Sequence, residues 1–187
     1  MAKTRTIAVA GKGGTGKTTL AALLIQLLSK HGTVLAIDAD PSSNLHLCLG
    51  LPMESTVGQV REDAAKKVRS SEFQAGMSKA SYLELGIRQT LVESQQVDLL
   101  VMGRPEGAGC YCAANNVLRG VIDQMAQNYA YVVIDNEAGM EHISRQTTRD
   151  VDALLLVSDP SIRGVVTAGR IKTLIQELRP GIGKALL

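Results

Sequence analysis

Residues Gly11 to Thr18, Gly-Lys-Gly-Gly-Thr-Gly-Lys-Thr, stand between a short apolar run, Ile7-Ala8-Val9-Ala10, and a stretch where Leu20, Leu23, Leu24, Leu27 and Leu28 recur at helical spacing. Strand, glycine turn and helix in that order meet the eight-position phosphate-loop pattern, with all four fixed positions matched. Glycines let backbone N–H groups turn inward without a Cβ clash. Those groups converge at a helix start, where the macrodipole adds about half a positive charge. The expected nucleotide cradle is Gly11, Lys12, Gly13, Gly14, Thr15, Gly16, Lys17, Thr18 and Thr19. Lys17 is expected to reach the β- and γ-phosphates, and Thr18 to offer its hydroxyl to Mg²⁺. The bland alternative, a glycine-rich turn without a ligand, does not require the fixed positions or their strand–helix context.

The rest of the chain repeats this alternation. Gly32 suits a left-handed position after the first helix, and Thr33 to Ile37 reads as the next buried strand, completing a parallel βαβ unit. Val97 to Met102, Tyr131 to Ile134 and Ala153 to Val157 read as further strands. Helices are expected from about Ala114 to Asn128 and from Gly164 to Leu178, the latter stopped by Pro180. Leu51 to Gln96 reads as a run of helices without chemistry, with Arg61 to Arg69 as a solvated face. The expected fold is α/β, three layers with a mostly parallel sheet flanked by helices. The 187 residues are expected to form a single P-loop domain.

Composition excludes several partners. The net charge of +2 is too mild to argue for nucleic acid or an anionic membrane. With no Trp and one Phe, a surface for stacking single-stranded bases is not expected. Leu20 to Leu28 is broken by Gln26 and too short to span a bilayer, and the N-terminus lacks the apolar length of a signal peptide. The expected compartment is the cytoplasm.

Two acidic clusters follow strands. Asp38-Ala39-Asp40-Pro41 follows the second, and Asp135-Asn136-Glu137-Ala138-Gly139 the fourth. A carboxylate at a strand's carboxyl end suits Mg²⁺, usually through water, and Asp135 is the expected Mg²⁺ residue; a cap for the following segment is its alternative. Asp38 either assists or caps the turn. Cys110 and Cys112 lie near the start of the helix after the third strand, a position that favours thiolate. One such pair cannot fill a four-coordinate site for Zn²⁺ or Ni²⁺, but a twofold axis would bring a second pair. A redox pair and simple packing are the other readings. Cys48 is expected in the core, and His142 as a loop histidine bonded to backbone.

The stretch Lys12-Gly13-Gly14-Thr15-Gly16-Lys17-Thr18-Thr19 resembles the deviant Walker A loop of the nitrogenase iron protein, MinD and ParA ATPases. That resemblance implies that Lys12 crosses a dimer interface to the partner's ATP and that Asp40 orients the attacking water. Lys12, Lys17 and Asp40 thus form the implied catalytic set, with ATP or ADP and Mg²⁺ as cofactors; a solvated surface lysine is the alternative for Lys12. Three further segments narrow the likeness: Gly103 to Cys112, Asp135 to His142, and Val157-Ser158-Asp159-Pro160-Ser161. Together they look like the CooC-type maturation ATPases of carbon monoxide dehydrogenase. The likeness implies an ATP-dependent homodimer that holds a metal between paired Cys110 and Cys112 and assists nickel insertion into the dehydrogenase. It also implies a further strand and an adenine-recognition stretch after the last helix, which this chain is expected to lack. A ParA- or MinD-type positioning ATPase and an iron–sulfur electron-transfer ATPase are the competing readings.

Overall fold

The structure is a computed structural model that describes residues 3–69, 78–104, 112–137, 151–178 and 184–186. Their elements run β1 (Arg5–Gly11), α1 (Lys17–Leu28), β2 (Val34–Ala39), α2 (Leu45–Leu49), α3 (Val57–Arg69), α4 (Lys79–Gln89), β3 (Val97–Val101), α5 (Cys112–Ala126), β4 (Tyr131–Asn136), β5 (Ala153–Val157), α6 (Ile162–Leu178) and β6 (Lys184–Leu186). The strands form one sheet in the order β3-β2-β4-β1-β5-β6, with every pairing parallel. All carboxyl ends therefore open on one edge, where α/β sheets bind ligands. The βαβ reading and the parallel α/β fold are confirmed, and the short edge strand β6, beside β5, corrects the expectation that the chain lacks a strand after the last helix; its three residues are too few to show a period in the sequence.

Strand alternation sorts side chains between two cores. Ala8, Ala10, Leu35, Ile37 and Ile134 pack with Leu83, Ile87, Leu118, Ile122 and Ile171 from α4, α5 and α6. Val9, Val34, Ala36, Leu99 and Val133 pack with Ala21, Ala22, Ile25 and Leu45 from α1 and α2. In the middle region α3 and α4 bear out the helical reading at 57–69 and 79–89, and α3 is anchored by buried Val57 and Ala64.

Three local expectations need correction. In α1 the buried residues are Lys17, Ala21, Ala22 and Ile25, whereas Leu23 is 59% exposed and Leu20 and Leu27 also face outward. The phosphate loop sets the helix's rotation: once Lys17 turns inward, residues four and eight positions later follow it. Gly32 is absent from the positive-φ glycines. It is needed instead for close approach, since a Cβ there would lie 2.7 Å from the Ala130 Cβ. Cys48 is exposed rather than in the core, because its neighbour Leu45 provides the inward contact of the short helix α2. Among the described residues, no helix is long and apolar enough to cross a membrane.

Candidate functional site

Strand β1 ends in Gly11, which lies so close to β5 that a Cβ would stand 2.1 Å from the Val157 carbonyl oxygen. The chain then turns through Lys12 to Gly16, and Gly16 starts α1 in the left-handed region at φ 90 with no side-chain cap. The first-turn N–H groups of α1 thus have no side chain of the N-cap competing for them, as an anion site at a helix start requires. The loop is braced internally. The Thr15 hydroxyl donates to the Lys12 carbonyl at 2.8 Å, and Lys17 Nζ donates to the same carbonyl at 3.3 Å. Lys17 is only 6% exposed, so its ammonium is held inside the cradle rather than in solvent.

Lys12 points away from Lys17. Its Nζ lies 3.8 Å from Asp159 Oδ2, and both side chains are partly exposed. Asp159 accepts from the Ser161 N–H at 2.9 Å and from the Ser161 hydroxyl. These bonds hold its carboxyl below the usual carboxylate range, with Lys12 adding a smaller pull. Sequence reasoning quoted Asp159 within a motif but gave it no role; only the fold brings the end of β5 beside the loop after β1.

Asp38 and Asp135 are register partners on β2 and β4, and both are buried. Asp38 Oδ1 accepts from the Asp40 N–H at 3.1 Å, and Oδ2 accepts from the Leu45 N–H at 2.9 Å. The carboxylate therefore clamps both ends of the loop that carries Asp40, a loop in which Ser43 holds a left-handed φ of 52. This is the turn-capping alternative for Asp38. Burial pushes its pKa up to about 6, against the lowering effect of those two bonds and with Asp135 and Asp40 adding to the rise. Asp40 itself accepts from the Ser42 N–H at 2.8 Å and the Ser42 hydroxyl at 2.5 Å.

Asp135 differs. Both carboxylate oxygens are buried, and among the described residues no backbone N–H donates to either. Burial pushes its pKa up, while the nearby Thr18 hydroxyl and Lys17 ammonium pull it down. A buried carboxylate with no backbone donor, beside a hydroxyl, fits a hard divalent cation, so Thr18 and Asp135 could hold Mg²⁺ beside the cradle. Bound there, Mg²⁺ would neutralise charge on the β- and γ-phosphate oxygens.

Beside the Asp40 loop a cavity of about 380 Å³ is lined by Pro41, Ser42, Ser43, Glu62 and Arg104, among others. It was not anticipated from sequence, because its walls come from three separate segments. Cys110 lies outside the described residues, as do His142 and Gly139. Cys112 begins α5. Among the described residues, no group of three or more His, Cys, Asp or Glu could hold a metal ion.

Comparison with known proteins agrees with this geometry. The chain is 54% identical over 173 residues to an uncharacterized ATP-binding protein of Methanocaldococcus jannaschii, covering 92% of this chain and 68% of that protein. It is 34% identical over 182 residues to the carbon monoxide dehydrogenase accessory protein CooC of Rhodospirillum rubrum, covering 92% and 69%. Among solved structures, apo McdA from Cyanothece matches with a TM-score of 0.69 at 26% identity, over 98% of this chain and 71% of that one. Residues 6–182 match the CbiA family, described as the CobQ/CobB/MinD/ParA nucleotide-binding domain. The chain belongs to this family of ATP-binding and ATP-hydrolysing P-loop proteins.

Proposed function

We propose that the chain is an ATP-dependent metal-handling switch that acts as a homodimer and assists nickel insertion into a carbon monoxide dehydrogenase. In this reading the loop from Gly11 to Thr19 holds ATP or ADP. Lys17 binds the β- and γ-phosphates, and Thr18 and Asp135 hold Mg²⁺, the latter through water. Asp40 orients the attacking water, and Lys12 leaves Asp159 to meet the partner's nucleotide. Cys110 and Cys112, paired with those of a second copy, supply four thiolates for Ni²⁺ or Zn²⁺. The similarity to CooC supports the client.

The observation that carries this reading is a backbone link between the two chemistries. The Met102 N–H, at the exit of β3 toward the cysteine pair, donates to the Asp38 carbonyl at 2.8 Å. The segment that carries Asp40 and the segment that leads to Cys110 therefore start from bonded neighbours. A change at the γ-phosphate has a short path to the start of the segment that leads to Cys110, and coupling between two ligands of one protein is reciprocal.

Equilibrium Ni²⁺ and Zn²⁺ binding, with and without a nonhydrolysable ATP analogue, tests the proposal alongside size-exclusion mass. One metal per two chains is expected, with tighter binding in the analogue complex and loss in Cys110→Ser and Cys112→Ser. Identical stoichiometry and affinity in both nucleotide states overturns the coupling. The match to the MinD/ParA nucleotide-binding domain favours a second reading, a ParA- or MinD-type positioning ATPase. That reading is supported if the analogue drives dimerisation while Cys110→Ser and Cys112→Ser change nothing.

A further inference from the structure

The sheet forks at the site. Strands β1 and β4 pair as far as Val9 and Asp135. Beyond that point β1 stays with β5, through Ala10–Leu156 and Gly11–Val157, while β4 stays with β2, through Ala39–Asn136. One prong runs on into the phosphate loop, and Asp135 stands at the last shared rung, where the two strands part. How firmly the strands are held together just beyond that rung bears on where the Asp135 carboxylate stands relative to Thr18.

Among the described residues, one side chain of β4, that of Asn136, crosses this fork. Asn136 is 2% exposed, and its Nδ2 donates to the Val9 carbonyl at 3.0 Å and more weakly to the Ile134 carbonyl at 3.4 Å. The amide continues the ladder by one rung where the backbone pairing has ended. Strand alternation puts Asn136 on the opposite face from Asp135, so it braces the fork from behind and touches neither nucleotide nor metal. The bond is buried, and its loss would leave the two strands without this cross-link just beyond their last shared rung.

We propose that Asn136 is a positioning residue of the ATPase centre, its side-chain amide bridging β1 and β4 to fix the separation between the phosphate loop and the Asp135 carboxylate. This inference rests on the assignment of Mg²⁺ to Thr18 and Asp135. Groups that orient a metal ligand from behind typically contribute 10–100-fold to metal affinity, and the effect here falls at the low end because Mg²⁺ is also held by nucleotide phosphates.

The test uses Mn²⁺ as a paramagnetic probe of the Mg²⁺ site. Free Mn²⁺ is measured by electron paramagnetic resonance during titration of the ADP complex, and ADP affinity is measured separately in EDTA. Asn136→Leu keeps the volume and removes the donor; Asn136→Ala serves if the leucine variant does not fold. The expected result is about a tenfold rise in the Mn²⁺ dissociation constant, with metal-free ADP affinity within about twofold of the parent protein. A merely structural asparagine would not separate these two readouts. Unchanged Mn²⁺ affinity in a folded variant overturns the proposal, as does an equal loss of metal-free ADP binding. Asp135→Asn is the control. If it weakens Mn²⁺ while Asn136→Leu does not, only the role of Asn136 fails. If Asp135→Asn leaves Mn²⁺ binding intact, the metal assignment itself fails.

Discussion

Asp38 and Asp135 end neighbouring strands, face each other in register and are equally hidden from solvent, yet their surroundings are opposite. Asp38 has each oxygen matched to a backbone N–H. Asp135 has no backbone donor on either oxygen among the described residues. A buried carboxylate with partners is part of the scaffold, whereas one without them costs stability until something cationic arrives. The contrast separates the residue that shapes the Asp40 loop from the residue proposed to hold Mg²⁺, a distinction that residue type and strand position do not make.

The largest effect expected from this contrast is on turnover. Asp135→Asn should lower kcat about 10²–10³-fold, the range for removing one preorganised charge-stabilising group, measured by phosphate release. The same variant should raise the nucleotide-free unfolding midpoint in urea, because it removes an uncompensated buried charge. A fall in that midpoint would break the comparison.

Asp38→Ala should do the reverse. It orphans the N–H groups of Asp40 and Leu45, at about 1–3 kcal/mol for each that stays buried, so urea unfolding at pH 4 should show a clear loss of stability. That loss should shrink as pH rises. Asp38 has a pKa of about 6 in the folded chain against a reference of 3.8, so between these values the folded state keeps a proton that the unfolded state has released. Its stabilising contribution is full below pH 4, declines from pH 4 to 6 and is constant above, by up to about 3 kcal/mol. A difference between parent and variant that stays flat from pH 4 to 7 would remove the pKa argument.

Smaller effects sharpen the picture. ADP in EDTA should stabilise the parent and Asp135→Asn alike. Added Mg²⁺ should raise the melting temperature of the parent alone, by the equivalent of about 1.4 kcal/mol for each tenfold gain in affinity. Ser42→Ala frees one hydrogen bond on the Asp40 carboxylate and should change kcat by only about twofold, because the backbone N–H of Ser42 still holds the side chain.

The cradle and the order of strands and helices were readable from sequence because each depends on local pattern: an apolar run, glycines at fixed offsets and a helical repeat. Asp135 was readable as a carboxylate at a strand end. What escaped depends on contacts distant in sequence. The leucines of α1 read as a core stripe, but the buried stripe is fixed by Lys17, which the loop turns inward. Gly32 reads as a helix stop, but its need is the proximity of Ala130, 98 residues later. Asp38 could not be assigned between its two readings until the fold brought the Leu45 N–H to it. Asn136 carried no signal, since its partner Val9 lies 127 residues away. The strand β6 has three residues, too few for a period to show.

Lys17 already has an acceptor within its own loop, the Lys12 carbonyl. Arrival of a phosphate therefore exchanges one oxygen acceptor for another and does not require a disordered segment to fold around the ligand. Such an exchange costs little chain entropy, so nucleotide capture should proceed without a slow ordering phase and should release the Lys12 carbonyl as its first internal consequence. On the proposed reading, the loop is thus a closed circuit that ATP enters by substitution.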